Sequence, residues 1–177
     1  MENNPFGDYM YCYGLGRLPN FLGNVLVGHS GSVGSATAYM GFIPEKNMGV
    51  VVLINGSGYN PSQMGQYALA EALSSDPDQL PFARREKVLT ELTGFYQTYK
   101  GTMKVQVRKA GDFLTVVMGD RYNTNTIPLI PENLEGDKRV FYTLSAGNRL
   151  TVEFKKKNGT YEVIYERYAM RKTGDLA

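Results

Sequence analysis

From about residue 91 onward the apolar positions recur every second residue, and that period constrains the fold more than any other feature. Met103, Val105 and Val107 alternate with Lys104, Gln106 and Arg108; Leu150, Val152 and Phe154 with Thr151, Glu153 and Lys155; Tyr161, Val163 and Tyr165 with Glu162, Ile164 and Glu166. A chain that sends successive side chains to opposite faces reads as half-buried β-strand rather than helix. Ala110-Gly111-Asp112, Ala146-Gly147-Asn148 and Asn158-Gly159 fall between these stretches and supply the tight turns of hairpins. About seven strands over residues 91–177 predict an all-β unit, a small up-and-down barrel in preference to a sandwich. Barrels of about eight strands are filled by their own side chains more often than they are hollow, so a packed interior is expected.

Residues 1–76 have a different character. They hold two basic side chains against five acidic ones, a net charge of −3, whereas residues 77–177 carry +5, for +2 overall. That near balance lacks the concentrated basic face that nucleic-acid binding needs. Ser74-Ser75-Asp76-Pro77-Asp78 marks the change, because proline biases the residue before it away from helix. The reading is therefore a first unit over 1–76, a linker over 77–90 that enters a short helix at Arg84–Leu92, and the barrel over 91–177.

Within the first unit, Asp8–Leu15, Asn24–Val27, Ala36–Ile43 and Met48–Ile54 read as antiparallel strands. Pro61 after Asn60 opens an amphipathic helix with Met64, Tyr67, Ala68, Leu69, Ala72 and Leu73 on its apolar side. This is an α+β pattern with a thin core. Met48–Ile54 is apolar on both faces, as in a sheet covered on both sides, so a covering partner is expected. Alternation places Tyr9, Tyr11 and Tyr13 on one face of the first strand, where they either line a cleft or pack against a covering part, with Cys12 opposite and buried. A single cysteine makes no internal disulfide, and one cysteine with one histidine builds no His/Cys zinc site, so neither metal nor cofactor is expected. The N-terminus lacks a signal-peptide pattern, and no apolar run approaches the roughly 18 residues of a membrane span, which together predict a cytoplasmic chain without membrane contact.

Gly28-His29-Ser30-Gly31-Ser32-Val33-Gly34-Ser35 holds the only histidine beside three serines and invites a nucleophile reading. G-x-S-x-G fails because position 32 is serine, the phosphate-loop motif fails for want of a lysine between Arg17 and Lys46, and Gly14-Leu15-Gly16 lacks the third glycine of a dinucleotide fingerprint. The larger string does more. Val27 to Gly34, then Ala38-Tyr39-Met40-Gly41-Phe42-Ile43-Pro44-Glu45-Lys46-Asn47 and Met48 to Leu53, with Asn55-Gly56 following, resembles the C-terminal part of the β-lactamase-related serine hydrolases. That family includes penicillin-binding proteins, esterases and D-aminopeptidases, and the resemblance spans roughly residues 9–73.

The resemblance implies that a strand carries a Lys/His-[ST]-Gly motif along one wall of an acyl-transfer cleft. His29 stands at the Lys/His position, Ser30 is the hydroxyl member, Gly31 admits substrate to the backbone, and Ser32 supplies a backbone N–H to an oxyanion hole. The family's S-x-x-K nucleophile motif and its Tyr-x-Asn or Ser-x-Asn motif are both missing. The chain alone is therefore expected to be inactive on peptide or small acyl substrates and to need either homo-oligomerisation or a separately encoded nucleophile-bearing half. Lys172-Thr173-Gly174 also matches the wall motif as a string, but it is expected to follow the last strand as a coincidence. Pro128-Leu129-Ile130-Pro131, Arg139-Val140-Phe141-Tyr142 and Tyr165-Glu166-Arg167-Tyr168 resemble the lipocalin-like C-terminal modules of such hydrolases. The alternative is a non-catalytic binding or assembly module built on that barrel, and an intact enzyme pairing His29 with Ser30 or Ser32 is disfavoured because neighbours on a strand face opposite ways.

Overall fold

A computed structural model describes residues 10–56, 58–119 and 123–176, apart from the side chain of Cys12. The chain is mostly β and forms two compact units, divided in sequence between Ala83 and Arg84. No helix among the described residues is long and apolar enough to cross a membrane.

The first unit is a five-stranded antiparallel sheet in sequence order: β1 (Met10–Cys12), β2 (Leu15–Phe21), β3 (Asn24–Val33), β4 (Ala36–Ile43) and β5 (Met48–Ile54). The expected strand over 8–15 is two strands, because the chain reverses at Tyr13-Gly14, with φ of 54° and 78°, and again at Leu22-Gly23, with φ of 50° and 78°. Paired positive φ values are those of the tight turn whose twist matches a hairpin. Tyrosine and leucine seldom occupy its first position, so the following glycine is the only local signal. Tyr13 thus lies in a turn, fully exposed, and shares no strand face with Tyr11. The expectations for Tyr9 and for burial of Cys12 lie outside the described residues. β3 runs on to Val33 rather than ending at Val27, which makes the glycine-rich segment strand.

Helix α1 (Pro61–Ala72) begins as expected, with the Asn60 side chain accepting from the amides of Ser62 and Gln63 at 3.1 and 3.2 Å. Its Leu69 and Ala70 bury against Phe21, Leu26, Ile43 and Leu80. A single tyrosine sets the helix-to-sheet spacing. A Cβ on Gly41 would lie 2.5 Å from the Tyr39 hydroxyl oxygen, one on Gly28 would lie 2.9 Å from it, and one on Gly65 of α1 would lie 2.5 Å from the Tyr39 ring. Three glycines therefore form the slot that this ring fills.

The second face of β5 is open. Val51 and Leu53 are 70% and 78% exposed, as are Met40 at 46% and Val33 at 84%. Met48–Ile54 is apolar on both faces as read from the sequence, and its burial alternates residue by residue: α1 packs on one side, and the other side is left uncovered by the described residues of this chain. Replacing Gly65 with alanine pits a helix-propensity gain of about 1 kcal/mol against an overpacking cost of about 1–3 kcal/mol. With the Cβ 2.5 Å from the Tyr39 ring, the cost should win and lower the urea midpoint of this unit. An unchanged or higher midpoint would show that the slot has slack.

The second unit contains most of helix α2 (Pro81–Leu92) and eight strands, against about seven expected: β6 (Gly94–Thr98), β7 (Lys104–Ala110), β8 (Phe113–Gly119), β9 (Thr124–Asn133), β10 (Lys138–Ser145), β11 (Asn148–Lys157), β12 (Thr160–Tyr165) and β13 (Tyr168–Gly174). Each pairs with the next and β13 returns to β6, so the sheet closes as an up-and-down barrel, in agreement with the all-β expectation. Leu89 and Leu92 of α2 share its core with Val107, Leu114, Leu129, Phe141, Phe154 and Met170. Phe154 meets Tyr96 and Phe141 edge-on, at ring-centre distances of 5.9 and 5.4 Å. The void lined by Val105, Val116, Leu129 and Val152 is about 10 Å³, no more than the space of a single water. The interior is packed.

Side chains at the seam hold the end of α2. Tyr96 Oη donates to the carbonyl of Leu92 at 2.8 Å, and Lys172 Nζ donates to that of Glu91 at 2.9 Å. These acceptors are the last carbonyls of a helix, which have no partner within it. Lys172 also pairs with Asp175 at 2.6 Å, and Thr173 donates to the Phe95 carbonyl at 3.2 Å. Lys172-Thr173-Gly174 therefore lies inside β13 and is paired with β6, not beyond the last strand, and its lysine and threonine have structural partners. Tyr161 Oη donates to the Glu91 carboxylate at 2.8 Å. Burial first, and that carboxylate second, push the Tyr161 phenol from 10.0 up to about 12. Because the folded value is raised, the associated stability is present below pH 10 and is lost as pH rises towards 12. Denaturation midpoints of the barrel should fall across that window, and Tyr161→Phe should flatten the fall; an identical slope in the variant would refute this source.

Candidate functional site

The functional question centres on His29 to Ser32, and their position follows from strand register. β2 pairs with β3 only as far as Gly16 opposite Gly28, whereas β4 continues beside β3 to Ala36 opposite Val33. Beyond Gly28, the β2-side edge of β3 has no strand pairing among the described residues. This leaves His29–Val33 paired on one side only, exposed, and accessible to an extended ligand.

His29 stands opposite Met40, Ser30 opposite Tyr39, Gly31 opposite Ala38 and Ser32 opposite Thr37. Among the described residues no hydrogen bond joins His29 to Ser30 or Ser32. The recorded partner of the imidazole is Tyr11, whose Oη lies 3.3 Å from His29 Nε2, with the rings tilted by 52° and 5.9 Å apart. The imidazole tautomer sets the direction of that bond. No base–nucleophile pair is assembled in this segment.

Ser30 lies at the junction of two clefts. One, of about 120 Å³, is lined by Gly28, His29, Ser30, Tyr39, Ser62 and Gln66, among others. The other, open and of about 340 Å³, separates Ser30–Ser32 from Asn60–Ser62 at the start of α1. Thr37 Oγ1 donates to the Gly56 carbonyl at 3.3 Å and ties the end of β4 to the chain beyond β5. The wall thus presents hydroxyls, strand backbone and one imidazole, a set suited to binding an extended carbonyl compound and stabilising charge on it. No group of three or more His, Cys, Asp or Glu side chains converges to hold a metal among the described residues.

Reading the sequence did not assign Tyr39 to this wall, and it left Tyr11 open between lining a cleft and packing against a covering part. The Tyr11 contact depends on the unexpected turn at Tyr13-Gly14. The place of Tyr39 was signalled by Gly28, Gly41 and Gly65, but only in three dimensions.

A closed eight-stranded barrel follows a five-stranded sheet with a His-Ser-Gly edge, so the fold is an all-β barrel joined in sequence to a cleft-bearing sheet. The chain belongs to the Pab87 octamerisation domain family, which it matches over residues 77–171. The octameric penicillin-binding protein homologue from Pyrococcus abyssi is 48% identical over 97% of this chain, with a TM-score of 0.86, and the match spans 39% of that protein's chain. SurE structures, with D-Leu and without a stated ligand, match at 18% and 19% identity over 92% of this chain and 38% and 37% of theirs, with TM-scores of 0.34 and 0.33, too distant to support an argument. No curated protein matches the chain.

Because the sequence has one histidine, its imidazole gives a single set of resonances. Tyr11→Phe should shift the His29 ring signals by removing the hydroxyl 3.3 Å from Nε2. Unmoved signals would show that the pair does not form in solution.

Proposed function

We propose that this chain is the assembly-bearing part of a protein resembling the octameric penicillin-binding protein homologue, with the barrel holding copies together and the sheet supplying one wall of an acyl-transfer cleft. The observation that carries the reading is 48% identity to that octameric homologue over 97% of the chain, with the octamerisation family matched over the barrel. In this reading residues 1–76 are the C-terminal piece of a β-lactamase-like hydrolase domain, and 91–177 are a lipocalin-like barrel. The exposed Met40, Val51 and Leu53 support a covering partner for that piece.

On this proposal His29 lines the acyl-transfer centre, Ser30 and Gly31 receive a peptide or small acyl substrate along the free strand edge, and the Ser32 N–H takes part of the oxyanion. The attacking serine belongs to residues outside this chain: it adds to the carbonyl, the leaving group departs, and water releases the acyl group. A second reading, a non-catalytic binding or assembly module built on the lipocalin-like barrel, is supported by the octamerisation family matched over residues 77–171.

Light scattering on the purified chain should show a homo-oligomer, octameric as in the homologue. A monomer at tens of micromolar would overturn the assembly role. The chain alone should not hydrolyse p-nitrophenyl esters or D-amino-acid amides above background, and stoichiometric phosphonate labelling of Ser30 or Ser32 would replace the wall assignment with an intact nucleophile.

A further inference from the structure

We infer that copies of this chain dock through the outward face of β6–β9, an almost uncharged band centred on Phe95, Gln106 and Val117. The inference rests on the proposed assembly role and names the surface that performs it. Register places Phe95 opposite Gln106, Gln106 opposite Val117 and Val117 opposite Thr126, one row across four adjacent strands. The row points outward, because Tyr96, Val105, Val107 and Val116, which alternate with it, are buried in the core. Phe95 is 47% exposed, an aromatic ring on the outside of a barrel whose interior is already full. It borders an open cleft of about 350 Å³ that also touches Gln97, Gln106 and Val117.

Charge distribution singles out this wall. β8 and the stretch of β9 from Thr124 to Pro131 carry no charged residue. Among the described residues the basic side chains on these strands are Lys104, bordering the cleft, Arg108, whose Nε donates to Gln106 Oε1 at 2.8 Å, and Lys109, which is out of phase with the row and pairs with Glu86. Across the barrel, β10–β12 present Lys138 and Lys155 paired with Glu153, whose carboxyl the two ammonium groups hold below its usual range. Covering that wall would strip paired charges of water, whereas interface centres are depleted in charge and enriched in aromatic rings. A second copy is the occupant because the matched family is an octamerisation domain and its match, residues 77–171, contains all of β6–β9.

The test compares Phe95→Asp and Val117→Asp with Thr151→Asp, which places the same charge on β11. By light scattering, the first two should lose the parent mass and fall to smaller species, down to the 19.7 kDa chain, with the far-ultraviolet β signal retained. Thr151→Asp should keep the parent mass. An oligomer indifferent to both face changes overturns the surface and leaves the assembly role standing, whereas a monomeric parent overturns both. If the face variants unfold, acetylation of the unmodified protein decides: Lys104 should be protected relative to Lys157 at the exposed β11–β12 tip. Equal reactivity of the two lysines overturns the surface.

Discussion

The barrel depends on one non-local event, the pairing of β13 with β6. Seven hairpin pairings are local and form between neighbours in sequence, but the eighth closes a loop spanning the unit and must meet its entropy cost before any contact compensates for it. Met170 opposite Thr98 begins the seam and Gly174 opposite Phe95 ends it. There Gly94 has no room for a side chain, since a Cβ would lie 2.5 Å from the Gly174 carbonyl oxygen. Closure removes both sheet edges, which would otherwise be templates for unwanted strand addition. It also brings Lys172 under the last turn of α2, so the helix that contributes Leu89 and Leu92 to the core is anchored by the strand that finishes the sheet.

Much of this was legible from local pattern. Period-two alternation located β7, β11 and β12, Asn158-Gly159 and Ala146-Gly147 located their turns, and Asn60-Pro61 located the start of α1. What was not legible depended on partners distant in sequence. β9 carries Pro128 and Pro131, which argue against a strand until barrel curvature and the register shift beside Pro131 accommodate them. The turns at Tyr13 and Leu22 place bulky residues at positive φ, so one strand was expected where a hairpin exists. Met48–Ile54 is apolar throughout, and composition alone could not say which face this chain covers.

The His29–Ser32 segment was legible as a string, whereas its surroundings were not. Tyr11 reaches His29 only because the chain doubles back after Cys12, and the cleft beside Ser30 exists because three glycines from β3, β4 and α1 admit the Tyr39 ring. Motif reading names which side chains share a strand. The depth of the wall is set by packing behind it.

The packed interior of the barrel also bears on its mechanical character. Hydrostatic pressure unfolds proteins largely by eliminating internal empty volume on unfolding. A barrel with a void of about 10 Å³ gives pressure little to work on, and its small compressibility lets the outer wall keep its shape under load. For an element proposed to join several copies, this stiffness means that strain is passed between subunits rather than absorbed within the joint.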